Sequence, residues 1–182
     1  MSDSFEQLLL SEDDLDESFF GEEPSAAYDP SFLSGDESGK FLVDFVNGLT
    51  HGSHPGTVDH ASALFTSAVG NVVFHNVTRF SGESGQQLHE QFLTSLRACA
   101  RYRMELNDGA QFDVEKLGVD EEDDVTFARW LTTEEPYRLE GSWAVSLQDS
   151  VLSFVNTRNP DKSEIRRLAK VALERISKVP QS

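Results

Sequence analysis

Residues 125–156, VTFARWLTTEEPYRLEGSWAVSLQDSVLSFVN, read as three consecutive strands joined by two short turns. Val125, Phe127, Arg129 and Leu131 alternate with Thr126, Ala128, Trp130 and Thr132, the period of a half-buried strand. Glu135-Pro136 turns the chain, and Leu139, Gly141, Trp143, Val145 and Leu147 alternate with small or polar residues. Gln148-Asp149-Ser150 then makes a tight turn, and Val151 to Asn156 returns. Gly141, inside this pattern, marks an expected bulge or bend.

Upstream, Tyr102, Met104 and Leu106 alternate with charged residues and add another strand. Residues 108–124 read as a long polar connection ending in the acidic run Asp120-Glu121-Glu122-Asp123-Asp124. Residues 72–80, VVFHNVTRF, are β-branched and aromatic and predict a strand. The turn after them leads into a helix with Leu88, Phe92, Leu96 and Cys99 on its inner face. Phe41, Phe45 and Leu49, four apart, predict a first helix over about 40–49. Thr57 is expected to cap a second, with Val58, Ala61, Phe65 and Ala68 on one side. Downstream, Ile165, Leu168, Ala172 and Ile176 give a narrow apolar stripe on a final helix over 162–179.

Charge divides the chain. The 182 residues carry a net −17, yet residues 1–39 hold 12 acids and no Lys or Arg, while residues 40–182 hold 20 acids against 15 bases. Three segments are expected: a disordered acidic tail (1–39), an α+β domain (40–158), and a basic amphipathic helix (159–182). Within the tail, Phe5, Leu8, Leu9, Phe19 and Phe20 are flanked by acids, a spacing that suits docking of a partner protein's groove. The same tail could also serve only as a solubility device, or rest against the basic last helix in a salt-sensitive self-contact.

The acid excess argues against nucleic acid, whose binding relies on phosphate neutralisation by Lys and Arg. No apolar run approaches the ~20 residues of a membrane span. The single Cys99 excludes an internal disulfide framework and reads as a buried thiol. A cytoplasmic or nuclear setting is expected by default. No phosphate loop, nucleophile elbow or dinucleotide fingerprint occurs, so no cofactor is expected.

The order and spacing of VVFHNVTRF, FSGESGQQLHEQFL, YRMEL, VTFARWLT, RLEGSWAVSL and VLSFVNTRN resemble the nuclear transport factor 2-like superfamily, particularly SnoaL-like domains. The resemblance covers about residues 40–157. It implies a cone-shaped curved antiparallel sheet wrapped on three N-terminal helices, with a pocket inside and a homodimer formed through the sheet. The expected function is a non-catalytic interaction or ligand-binding module, holding an apolar small molecule or docking a partner. The alternative is an isomerase, cyclase or dehydratase.

The acid–base enzymes of that superfamily project carboxylates, histidines or tyrosines into an apolar cone. His75, at mid-strand, with Asp59 or Tyr102, is the candidate catalytic set. His75, Trp130 and Trp143 are the candidate pocket residues, the indoles bringing large apolar area and one donor each. His51, His54 and His60 cluster near His75 in sequence, but their Gly- and Pro-rich loop suits surface histidines better than a metal site.

Overall fold

A computed structural model describes residues 3–15, 18–22, 29–158 and 162–178. The described residues include four α-helices, a single turn α1 (Asp3–Glu6), α2 (Glu37–His51), α3 (Ser84–Ala98) and α4 (Lys162–Ile176), and a short 3-10 turn at Glu12–Asp14. The strands are β1 (Phe19–Glu22), β2 (Ser31–Gly35), β3 (Thr57–Ser67), β4 (Val72–Phe80), β5 (Arg101–Glu105), β6 (Gln111–Glu122), β7 (Val125–Glu134), β8 (Tyr137–Gln148) and β9 (Val151–Arg158). They form one open antiparallel sheet in the order β1-β3-β4-β9-β8-β7-β6-β5-β2, with β1 and β2 at its edges.

The sheet lies between two helical layers. Alternate side chains of the central strands divide cleanly: Phe74, Phe80, Trp130, Val145, Leu152 and Phe154 join Leu42, Phe45 and Leu49 of α2 and Phe92 and Leu96 of α3. Val73, Phe127, Ala144 and Val155 face the other way and meet Ile165, Leu168, Ala169 and Ala172 of α4. The period of two along each strand thus supplies both cores at once.

This arrangement corrects the expected cone on three N-terminal helices. The sheet is open, and its three long helices are spread along the chain. The stretch expected as a second helix is β3, paired with β4 from Thr57↔Phe80 to Thr66↔Val72. Its helical reading arose because both faces are partly covered: Ala63 and Phe65 pack toward α4, while Leu64 lines the α2 side. A strand covered on both faces loses its clean alternation and imitates a helix in sequence.

The polar connection expected at 108–124 is also a strand, β6, paired with both β5 and β7. Phe112 and Val114 are buried, whereas Gln111, Asp113 and Glu115 between them are exposed, so solvent on one face gives it a loop-like composition. Asp123 and Asp124, both at positive φ, form the two-residue turn to β7. Gly141 is neither bulge nor bend, because the β7–β8 and β8–β9 registers run through it without a shift.

The disordered acidic tail is corrected too. Phe5, Leu8, Leu10 and Phe19 are all buried. Phe5 and Leu8 pack with Val77, Val151 and Ile176, and the Arg79 guanidinium sits 5.0 Å from the Phe5 ring centroid. Leu10 and Phe19 join the α4 core, and β1 pairs with β3. The basic last helix provides the self-contact: Arg175 pairs with Asp14 and donates to the Leu9 carbonyl, and Arg167 donates to the Asp14 carbonyl at 2.6 Å. Apolar burial fixes these segments, and cations on α4 offset the acids that accompany them.

Replacing Phe5 with Ala should therefore lower the unfolding free energy by about 3 kcal/mol, the usual cost of removing a buried phenylalanine. Urea denaturation reads this directly, and an unchanged midpoint would mean that the segment is not seated.

Candidate functional site: an aromatic cavity between α2 and the sheet

Between α2 and the sheet lies a cavity of about 180 Å³. Its floor is laid out by strand register. One row of directly opposed residues runs Trp130 (β7), Gly141 (β8), Arg158 (β9) and Val72 (β4). The next runs Trp143, Asn156, Phe74 and Leu64 across β8, β9, β4 and β3. Residues opposed in an antiparallel sheet share a face, so each row presents its side chains to the same space. Leu42, Val43 and Val46 of α2 form the roof, and Tyr102 and Met104 of β5 close one side.

The aromatic rings form a continuous chain. Tyr102 and Trp130 meet edge-on with centroids 6.0 Å apart, Trp130 and Trp143 lie at 4.9 Å, and Trp143 meets Phe154 at 5.6 Å. Such tilted pairs add about 0.5–1.5 kcal/mol each beyond their burial. Tyr102 is held in place from behind. A Cβ on Gly39 of α2 would come within 2.6 Å of the Tyr102 Cβ, so only glycine lets the helix approach this closely. The Asp36 carboxylate accepts from the Ala100 and Arg101 N–H groups at 2.6 and 3.0 Å, tying the start of α2 to β5. Those hydrogen bonds, that of Arg101 foremost, hold its pKa below the ordinary carboxylate range. Burial pushes the Tyr102 phenol upward, so it stays neutral.

Two polar features stand out against the apolar walls. The Trp130 side chain is 2% exposed, and its indole N–H has no hydrogen-bond partner. Arg158 is the one charged residue in the lining, and neither it nor Asn156 makes a side-chain hydrogen bond or ion pair with another described residue. Gly141 stands between Trp130 and Arg158 in their row, so the floor between indole and guanidinium is bare backbone.

Trp130 and Trp143, expected as pocket residues, are both in the cavity wall, as is Tyr102. His75 is not. It lies on the opposite face, fully buried beneath the N-terminal segment. Its Nδ1 accepts the Leu10 N–H at 3.0 Å, which leaves the proton on Nε2 to donate to Ser153 Oγ at 3.0 Å. Burial, aided by the nearby Arg175 cation, pulls its pKa down to about 3. Asp59, expected on a helix, is exposed on β3 opposite Arg79. The candidate catalytic set is therefore dispersed: one member in the cavity, one beneath the N-terminal segment, one at the surface. The physical reason is parity, since His75 and the cavity residue Phe74 are neighbours on one strand and must point apart.

His51, His54 and His60 make contacts within the chain. His51 pairs with Asp29 at 2.6 Å, and His54 Nε2 lies 2.9 Å from the Phe45 carbonyl, against Gly48. Burial lowers the His54 pKa. The His60 ring packs on Gly52, which ends α2 in a left-handed conformation. No group of three or more metal-ligating side chains occurs among the described residues. Of the five residues expected to dock a partner, Phe5, Leu8 and Phe19 are buried within the chain, Leu9 is partly buried, and Phe20 is exposed. Sequence reasoning missed Arg158 and Gly141; their strand periods were available, but not the register that aligns them with Trp130.

No protein-family model matches the chain, and no curated protein matches it. Fold and cavity define a class, an open antiparallel sheet held between helical layers with an aromatic pocket on one face. Among solved structures, the extracellular domain of PknH from Mycobacterium tuberculosis is similar, with a TM-score of 0.74 and 12% identity over 98% of this chain and 97% of that one. At that identity the likeness is one of fold alone. The protein MLL2253 from Mesorhizobium loti covers 43% of this chain and 65% of that one at 13% identity, with a TM-score of 0.24, too low to support an argument. No helix among the described residues is long and apolar enough to cross a membrane.

The buried His75 predicts a pH dependence. Above pH 6.5 the imidazole is neutral in folded and unfolded chains alike, and the group contributes no slope. Between 6.5 and about 3 only the unfolded chain takes up the proton, so stability falls as the pH falls through that window. Urea midpoints at pH 7 and pH 4.5 should differ for the native chain, and His75→Gln should shrink the difference. An equal difference in both would place the responsible group elsewhere.

Proposed function

We propose that this chain is a non-catalytic binding module whose cavity takes a small, largely apolar molecule bearing a hydrogen-bond acceptor. The observation that carries the reading is an aromatic-walled cavity whose one charged lining residue, Arg158, has no partner among the described residues. A half-buried guanidinium without a protein partner is matched by a hydrogen-bond acceptor on a bound molecule. The volume supports a ligand of modest size: about 180 Å³ is comparable with an apolar cavity of ~150 Å³ that admits benzene. The separation of His75 and Asp59 from the cavity favours binding over acid–base catalysis.

The partner-docking half of the expected function has less support. Its apolar anchors Phe5, Leu8 and Phe19 are satisfied within the chain. The central strands, through which a second copy was expected to pair, carry helices on both faces. The fold likeness to an extracellular domain supports neither the cytoplasmic nor the nuclear expectation.

Acetophenone, a neutral ring with one carbonyl acceptor, is a suitable probe. It should shift the Trp130 indole N–H resonance in a ¹H–¹⁵N spectrum. Val46→Phe, which fills the cavity from α2, should abolish that shift while leaving the melting temperature unchanged or higher. If millimolar acetophenone and related small aromatic ketones all leave the Trp130 resonance in place, the binding reading fails.

A further inference from the structure

We infer that the cavity selects an aryl carboxylate: a single aromatic ring packed against Trp130 and Trp143 with its carboxylate on Arg158. This rests on the binding reading above and adds the charge and orientation of the ligand.

The argument begins with what an arginine does in such a wall. Arg158 is half-buried on the last residue of β9, and no described side chain or carbonyl pairs with it. The other lining residues are uncharged, so the cavity has one positive charge and no compensating acid. A ligand cation is therefore disfavoured, and a neutral ligand would leave the guanidinium unmatched. A phosphate monoester carries close to two charges and is usually met by several cations or by a cluster of backbone N–H groups. A single planar fork of donors suits a single carboxylate, which it can engage through two parallel hydrogen bonds.

The register then sets the orientation. Trp130 and Arg158 are directly opposed across β8, with Gly141 between them. Two strand spacings separate their backbones by roughly 10 Å. That is the scale of one ring bearing a carboxylate at one end. Glycine within a regularly paired strand often marks close approach of a ligand or of another backbone. Here a neighbouring backbone does come close: a Cβ at 141 would stand 3.0 Å from the Thr157 carbonyl oxygen. Trp143 and Phe74, in the neighbouring row, supply the edge against which the ring would pack. Asn156, between those two and without a side-chain partner, is placed to donate to the second face of the carboxylate.

The test uses 4-methoxyphenylacetate and its neutral isostere 4-methoxyphenylacetamide on the intact chain, titrated by indole N–H shifts and by calorimetry. The carboxylate should bind about tenfold more tightly than the amide, the margin of a charge-assisted over a neutral hydrogen bond. Arg158→Gln should erase that margin. The comparison of the two probes on the native chain needs no variant, so a poorly folding Arg158→Gln does not remove the test. Equal affinities of carboxylate and amide would overturn this inference and leave the cavity reading standing. Failure of acetophenone, amide and carboxylate alike would overturn both.

Discussion

The central strands of this protein are apolar on both faces, and keeping water from both of them organises everything else. In β9, Leu152 and Phe154 point one way and Val151 and Val155 the other, all buried. A buried aliphatic or aromatic side chain contributes on the order of 1.5–3 kcal/mol, so leaving either face wet would cost more than the net stability of most domains. The α2–α3 pair covers the first face. α4 is a single helix and covers the second only in part, and the N-terminal segment completes it with Phe5, Leu8, Leu10 and Phe19. What composition suggests is a loose acidic appendage is thus part of the second core.

The cavity is a by-product of the same constraint on the first face. The α2 helix approaches β5 closely at Gly39 and Tyr102. Large rings from β7, β8 and β9 then fill the middle of the sheet beneath α2 and α3. At Gly141 of β8 the Trp130 row carries no side chain, and the space above is left to Leu42, Val43 and Val46. The opening is therefore bounded by rigid paired strands on one side and a helix on the other. Geometry of this kind holds polar groups in fixed relation better than a loop could.

How much of this was legible in the sequence follows from which faces are covered. β4, β7, β8 and β9 were readable because β-branched and aromatic residues alternate or cluster between clear turns. The α2, α3 and α4 helices were readable from apolar residues three and four apart. β3 was not, because partial cover on both faces blurred its period, and β6 was not, because one face in water gave it the composition of a loop. The N-terminal segment was misjudged because net charge speaks to solubility and not to whether a short run such as Phe5-Glu6-Gln7-Leu8 finds an apolar seat. The two indoles were legible as pocket residues from size and chemistry alone. The side to which His75 points was not, since one residue of parity decides it and no alternation pattern around His75 revealed that both faces were covered.

The contact between Arg175 and the Leu9–Asp14 stretch joins parts of the chain more than 160 residues apart. Phe5, Leu8 and Leu10 are consequently synthesised long before the helix against which they are housed. Until α4 is made, these three side chains lack the surface that buries them in the folded chain.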